Sequence, residues 1–164
     1  MHTEAHDWVL RHAHARPGRG LDIGGRNING TCRHLFTAVG WTVLDIEPGP
    51  GVDVVADAAT WTPDGEYDVV LCTEVFEHTG VWPEICATAY KACAPGGLLV
   101  LTMAGPGRAE HSAVDGGSLR AGEHYANVEP DQLRTVLTEL GWTDVVVDYL
   151  HRSADTRAVA RKGV

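Results

Sequence analysis

Residues 21–25 read Leu21-Asp22-Ile23-Gly24-Gly25, a short apolar run interrupted by one acid and ended by two glycines. Paired glycines let the backbone turn tightly after a strand and come close to a ligand. The next strand-like run ends in Leu44-Asp45-Ile46, so a second carboxylate follows Asp22 by 45 − 22 = 23 positions. In nucleotide-binding α/β sheets an acid at about this spacing accepts the two ribose hydroxyls, and Asp45 is the candidate here. The dinucleotide fingerprint G-x-G-x-x-G is not met, because Arg26 stands two positions after Gly24. The stretch therefore points to a nucleotide-like cofactor other than NAD. Taken alone, Gly24-Gly25 is equally an ordinary strand-to-helix turn.

Working outward, short β-like runs recur at Gly20 to Ile23, Thr42 to Ile46, Val52 to Val55, Tyr67 to Cys72, Leu98 to Met103, Asp144 to Tyr149 and Thr156 to Arg161. Helical segments fit His2 to Ala15, Gly30 to Val39, Trp82 to Cys93 and Pro130 to Leu140. This alternation predicts right-handed βαβ crossovers, hence an α/β, doubly wound, mostly parallel sheet of seven strands. The last two runs are joined by a short polar link around Ser153 and Asp155, which suits a C-terminal antiparallel hairpin. At 164 residues the chain reads as one domain spanning residues 1–164. Ala104 to Asn127, rich in glycine and carrying His111 and His124, reads as a long loop, functional or disordered, whose Gly105 to Gly122 segment is expected to form part of a mobile lid over the acceptor pocket.

Composition narrows the partners. Thirteen basic against twenty-two acidic residues give a net charge of −9, a field that opposes nucleic acid. The longest strongly apolar stretch, Gly96 to Leu101, is far short of the ~20 residues that cross a bilayer, so no membrane partner is expected. Cys32, Cys72, Cys86 and Cys93 form no CxxC pair and read as buried small hydrophobes in a reducing, cytoplasmic compartment.

Five motifs in order resemble the class I S-adenosylmethionine-dependent methyltransferases. Leu21-Asp22-Ile23-Gly24-Gly25 is similar to their glycine-rich first motif, Asp45 to their ribose-binding acid, and Asp57-Ala58 to the adenine-contacting pair after the third strand. Tyr67 to His78 resembles the fourth-strand motif, and Ala94-Pro95-Gly96-Gly97-Leu98-Leu99-Val100 the approach to the fifth strand. The resemblance implies S-adenosylmethionine as cofactor, with Asp22, Gly24, Gly25, Asp45, Ile46, Asp57, Ala58 and Thr73 as its contacts. It also departs from the family: Arg26-Asn27-Ile28-Asn29 stands where further glycines are usual. Arg26 could pair with the methionyl carboxylate through two parallel hydrogen bonds, or be a solvated surface residue.

Glu74, Glu77 and His78 would share one face if helical, by their i, i+3, i+4 spacing. The E-x-x-E-H arrangement resembles metal-assisted O-methyltransferases, including those of small RNAs and of ubiquinone synthesis. With His124, this implies a candidate Mg2+ or Mn2+ site of Glu74, Glu77, His78 and His124. The same stretch also occurs in methyltransferases without metal, where His78 or His124 could act as general base. His2, His6, His12 and His14 read as a solvated helix face. The expected activity is methyl transfer to an O or N nucleophile of a small-molecule acceptor. The alternatives are a metal-assisted RNA 2′-O-methyltransferase and an S-adenosylmethionine-binding protein without catalysis.

Overall fold

The computed structural model describes residues 2–15, 17–37 and 39–164. Its centre is β4 (Tyr67–Thr73), whose run of Val69 to Cys72 is buried on both faces, as expected for an interior parallel strand. Before it come α1 (Thr3–His12), β1 (Gly18–Ile23), β2 (Val39–Asp45) and the short β3 (Val54–Val55). After it follow α2 (Trp82–Ala92), β5 (Cys93–Ala104), α3 (Pro130–Glu139), β6 (Trp142–Leu150) and β7 (Asp155–Lys162). The strands form one seven-stranded sheet in the order β3-β2-β1-β4-β5-β7-β6. Pairings from β3 to β5 are parallel. β7 enters antiparallel between β5 and β6, so the C-terminal hairpin forms as the short link demanded.

Both faces of the sheet are covered. Ile85, Cys86 and Ala89 of α2 and Leu133 and Leu137 of α3 pack with Leu21, Leu44, Val70 and Leu99 on one side. Trp8 and Val9 of α1, with Cys32 and Phe36, pack on Val69, Leu71 and Val100 on the other. All four cysteines are buried and none is in a disulfide. Among the described residues no helix is long and apolar enough to cross a membrane.

Two local expectations are corrected. The helix expected over Gly30 to Val39 is a single 3-10 turn at Arg33–Leu35; Ala38, within that range, lies outside the described residues. Gly30 has φ +92, its N–H is taken by the Asn27 side chain at 3.0 Å, and β2 already begins at Val39. Too little chain remains for a helix. The helix face proposed for Glu74, Glu77 and His78 is also absent. Glu74 lies in the left-handed region at φ 57, and only Phe76–His78 winds, again as a 3-10 turn. The connection before α2 carries the β-branched Val75, Thr79 and Val81, which resist helix formation.

Candidate functional site

The carboxyl ends of β1 and β4 open on a cavity of about 620 Å³, walled by Asp22, Gly24, Gly25, Arg26, Thr73, Glu74 and His78 and by loop residues 28–31, 108–113, 115 and 116. The turn after β1 is held by its backbone. The N–H groups of Gly24 and Gly25 both donate to the Leu44 carbonyl, at 2.7 and 3.2 Å. Gly24 has φ +69, and a Cβ there would run into Val75, while a Cβ on Gly25 would come 2.6 Å from the Asp22 carboxylate. Glycine is thus required at both positions.

Asp22 is buried beneath this turn. Burial raises its pKa to about 6, and the Arg33 guanidinium, 2.8 Å away, opposes the rise. Arg33 also donates to the Gly25 carbonyl at 2.9 Å, tying the acid to the glycine turn. Nothing in the spacing singled Arg33 out.

Asp45 is buried at the end of β2 and accepts the backbone N–H groups of Arg26 at 3.1 Å and Glu47 at 3.0 Å. Together with the bond from Asn27 N–H to the Pro50 carbonyl, this draws the Arg26 loop against residues 45–50. Arg26 is partly buried and lines the cavity rather than pointing into bulk solvent. Asp45, Ile46, Asp57 and Ala58 are not in the cavity wall. They cluster beside it at the ends of β2 and β3, with Ile46 66% exposed and Asp57 accepting the Ala59 N–H within its own turn.

On the other side, Glu74 lies 3.4 Å from His2. His2 in turn pairs with Asp155 at 2.7 Å, and Arg108 bonds the other oxygen of Asp155 at 2.6 Å. Hydrogen bonds to Asp155 and Glu74 raise the His2 pKa to about 9, outweighing its burial. Burial works against ionisation of Asp155, yet the hydrogen bonds from His2 and Ser153 hold its pKa below the usual carboxylate value. His2 is therefore an ionic member of the cavity wall, not part of a solvated helix face.

Glu77 is fully buried behind His78. Neither of its oxygens has a side-chain hydrogen-bond partner among the described residues; burial, then Glu74, pushes its pKa up to about 8, against the backbone N–H groups of Glu77 and Ala104 and the charge of Arg108. Burial and His111 push His78 down to about 4. The rings of His78, His111 and Tyr125 meet edge to face, with centroids 5.0–5.7 Å apart. One ligand atom each from Glu77, His78 and His111 lie within 4.8 Å of one another. Glu74 and His124 are not in that group. His124 is exposed, its Cε1 3.6 Å from the position a Cβ on Gly80 would take.

A fold of this topology, with a glycine turn under a cavity at the carboxyl end of β1 and an acid closing β2, defines a nucleotide-cofactor-binding α/β protein. Residues 1–147 match the family model described as a methyltransferase domain. The chain belongs to this family of Rossmann-like, S-adenosylmethionine-dependent methyltransferases. A 97-residue segment is 33% identical to the ubiquinone biosynthesis O-methyltransferase of Psychrobacter arcticus, covering 57% of this chain and 36% of that one. The chain thus aligns with about a third of the curated relative. Among solved structures, the DhpI–SAH complex has a TM-score of 0.72 at 24% identity over 98% of this chain and 83% of that one. The Burkholderia thailandensis 1,6-didemethyltoxoflavin-N1-methyltransferase, bound to 1,6-didemethyltoxoflavin and S-adenosylhomocysteine, has a TM-score of 0.68 at 16% identity, over 98% and 79%. These two likenesses are of fold.

Proposed function

We propose that the chain binds S-adenosylmethionine in the cavity after β1 and transfers its methyl group to an oxygen or nitrogen nucleophile of a small molecule. The observation that carries this reading is the Gly24-Gly25 turn, hydrogen-bonded to Leu44 and tied through Arg33 to Asp22 at the floor of the cavity. The volume of about 620 Å³ suits a nucleoside-sized ligand, within the roughly 300–1,000 Å³ of small-molecule sites. Asp22, Gly24, Gly25 and Thr73 would take the amino-acid end. Asp45, Ile46, Asp57 and Ala58, on the adjoining shelf, would take ribose and adenine, with the Arg26 loop shifting off the Asp45 carboxylate.

When bound, the cofactor supplies an activated methyl group for in-line displacement. The contribution of the chain is positional. Holding an acceptor lone pair in line supplies several kcal/mol through proximity alone. His78 lines the cavity and, with its pKa lowered to about 4, is assigned to orient the acceptor, while His124, which returns beside Gly80 from the loop before α3, is assigned to receive its proton. A small acceptor fits the walling of this site by loop residues 108–113, 115 and 116 and the net charge of −9. It is also in keeping with the small-molecule methyltransferases among the relatives.

The test is a screen for labelled methyl transfer from S-adenosylmethionine into metabolite and RNA pools, with and without chelator. Label in a small metabolite is expected. Label confined to RNA, or cofactor binding without transfer to any pool, refutes the assignment.

A further inference from the structure

Glu74, the first residue beyond β4, is held in the left-handed region at φ 57, a conformation that costs a non-glycine residue free energy and collects at functional sites. Two contacts fix it there. Its N–H donates to the Thr102 carbonyl at 2.7 Å, continuing the pairing of β4 with β5. The next residue, Val75, packs on Gly24 so closely that a Cβ on that glycine would collide with it. Glu74 thereby stands in the cavity wall beside the glycine turn assigned to the cofactor.

Its carboxylate is poorly served. The side chain is 16% exposed, Oε1 is buried with no hydrogen-bond partner among the described residues, and Oε2 faces Nδ1 of His2 at 3.4 Å. That separation exceeds the roughly 2.7–2.9 Å of a charge-assisted bond. His2 makes its short bond through Nε2 instead, to Asp155 at 2.7 Å. The other cations of the wall are also committed. Arg108 donates to Asp155 at 2.6 Å and to the Ser153 carbonyl at 2.9 Å, and the Arg26 side chain lies along Gly49 in the loop after β2. Glu110 adds another carboxylate to the same wall. A carboxylate withdrawn from water with so little compensation is stabilised by a charged donor that arrives in the cavity.

We propose that Glu74 recognises the acceptor and that the acceptor is an amine, bound as its ammonium through an N–H···O bond to the Glu74 carboxylate. This rests on the methyl-transfer reading above and narrows its oxygen or nitrogen nucleophile to nitrogen. A hydroxyl offers one neutral donor, whereas an ammonium offers up to three charged ones, and a hydrogen bond between ions is about twice as strong as a neutral one.

The bound ammonium first gives one proton to His124, which frees the nitrogen lone pair. That pair forms the new N–C bond to the methyl carbon, while the S–C bond breaks and its electrons pass to sulfur. The positive charge of the sulfonium is thus carried over to a methylated ammonium, and neutral S-adenosylhomocysteine remains. Glu74 faces a cation before the proton leaves and again after the methyl arrives, so it holds the amine at both ends of the reaction.

Sinefungin, in which a carbon bearing an ammonium replaces the sulfonium sulfur and its methyl, places N–H donors where the methyl meets the acceptor, so it probes Glu74 without a known acceptor. The full chain is titrated by calorimetry with sinefungin, S-adenosylmethionine and S-adenosylhomocysteine, alongside Glu74→Gln, Glu74→Gly and Glu84→Gln, with folding verified by circular dichroism. The parent should bind sinefungin at least about tenfold more tightly than S-adenosylhomocysteine, and Glu74→Gln should weaken sinefungin roughly 10- to 150-fold for the lost charge-assisted bond, with much smaller changes for the other two ligands. Glu84→Gln, exposed on α2, should leave all three unchanged. Glu74→Gly suits φ 57 and keeps the test valid if Glu74→Gln fails to fold. In the labelled-methyl screen the label should sit on nitrogen. Sinefungin affinity unaffected by the Glu74 variants, equal losses for sinefungin and S-adenosylmethionine, which would make Glu74 a counter-ion of the sulfonium alone, or label on oxygen overturns the proposal. Any of these with S-adenosylhomocysteine binding intact removes the amine assignment only, whereas a parent that binds none of the three ligands removes the methyl-transfer reading and this proposal with it.

Discussion

Replacing Arg33 with leucine should destabilise the protein in a way that depends on pH. Asp22 is 5% exposed and has an ordinary carboxylate value of 3.8 raised to about 6. At about 1.36 kcal/mol per pKa unit, its burial already costs roughly 1.36 × (6 − 3.8) ≈ 3 kcal/mol at pH 7. Removing Arg33 pushes the carboxyl higher, but protonation limits the damage: once the carboxyl is protonated at pH 7, the cost saturates at about 4 kcal/mol. The electrostatic increment is therefore about 1 kcal/mol, and the lost bond to the Gly25 carbonyl adds about 1 kcal/mol. At pH 5 Asp22 is protonated with or without Arg33, so only the second part remains. The sign follows from the raised pKa. The folded chain holds an extra proton between pH 3.8 and about 6, and stability falls as pH rises through that window. Urea denaturation of the parent and Arg33→Leu at pH 5 and 7 should give losses of about 1 and 2 kcal/mol, the latter lowering Tm by about 4–8 °C. Equal losses at both pH values, or a larger loss at pH 5, would refute the reasoning.

Gly24→Ala combines a left-handed backbone with a collision against Val75 and should cost about 1–3 kcal/mol, with loss of S-adenosylhomocysteine binding; a variant as stable and as tight as the parent would show that the turn is not constrained. Because the His2 pKa is raised to about 9, its pairing with Asp155 is fully present below pH 6.5 and is lost as pH rises through 9. Thermal melts of the parent should therefore fall between pH 7 and 9.5 by more than those of His2→Ala, and parallel pH profiles would count against that pairing. In hydrogen exchange, the Gly105 to Gly122 segment should be poorly protected alone and slowed by cofactor and acceptor, whereas full protection without ligand and no change with it would remove the lid.

The fold was legible because each strand after the first carries its own apolar run between turn signals, and the short link at 151–154 permits only a hairpin. The segment after Gly30 misled because Cys32 and Phe36, four apart, mimic a helical face. Both are buried, but they flank a single 3-10 turn and are not part of a helix. In the site, Asp22, Gly24, Gly25, Thr73, Glu74 and His78 all reach the cavity wall, since each sits at or just beyond a strand end. Residues whose role depends on distant partners were invisible. His2 meets Asp155 across 153 positions, and Arg108 meets it across 47. His111 lay in a loop already marked by its glycines, but its approach to His78 depends on how that loop folds back.

On the proposed function, the cavity after β1, with the Asp45 shelf beside it, holds S-adenosylmethionine. Calorimetric titration of the full chain with S-adenosylhomocysteine tests it without needing the acceptor. One-to-one micromolar binding is expected, weakened in Asp45→Ala by about 1.5–3 kcal/mol, roughly 10- to 150-fold, for a lost charge-assisted hydrogen bond. No heat at millimolar ligand, or an affinity unchanged in Asp45→Ala, would contradict it.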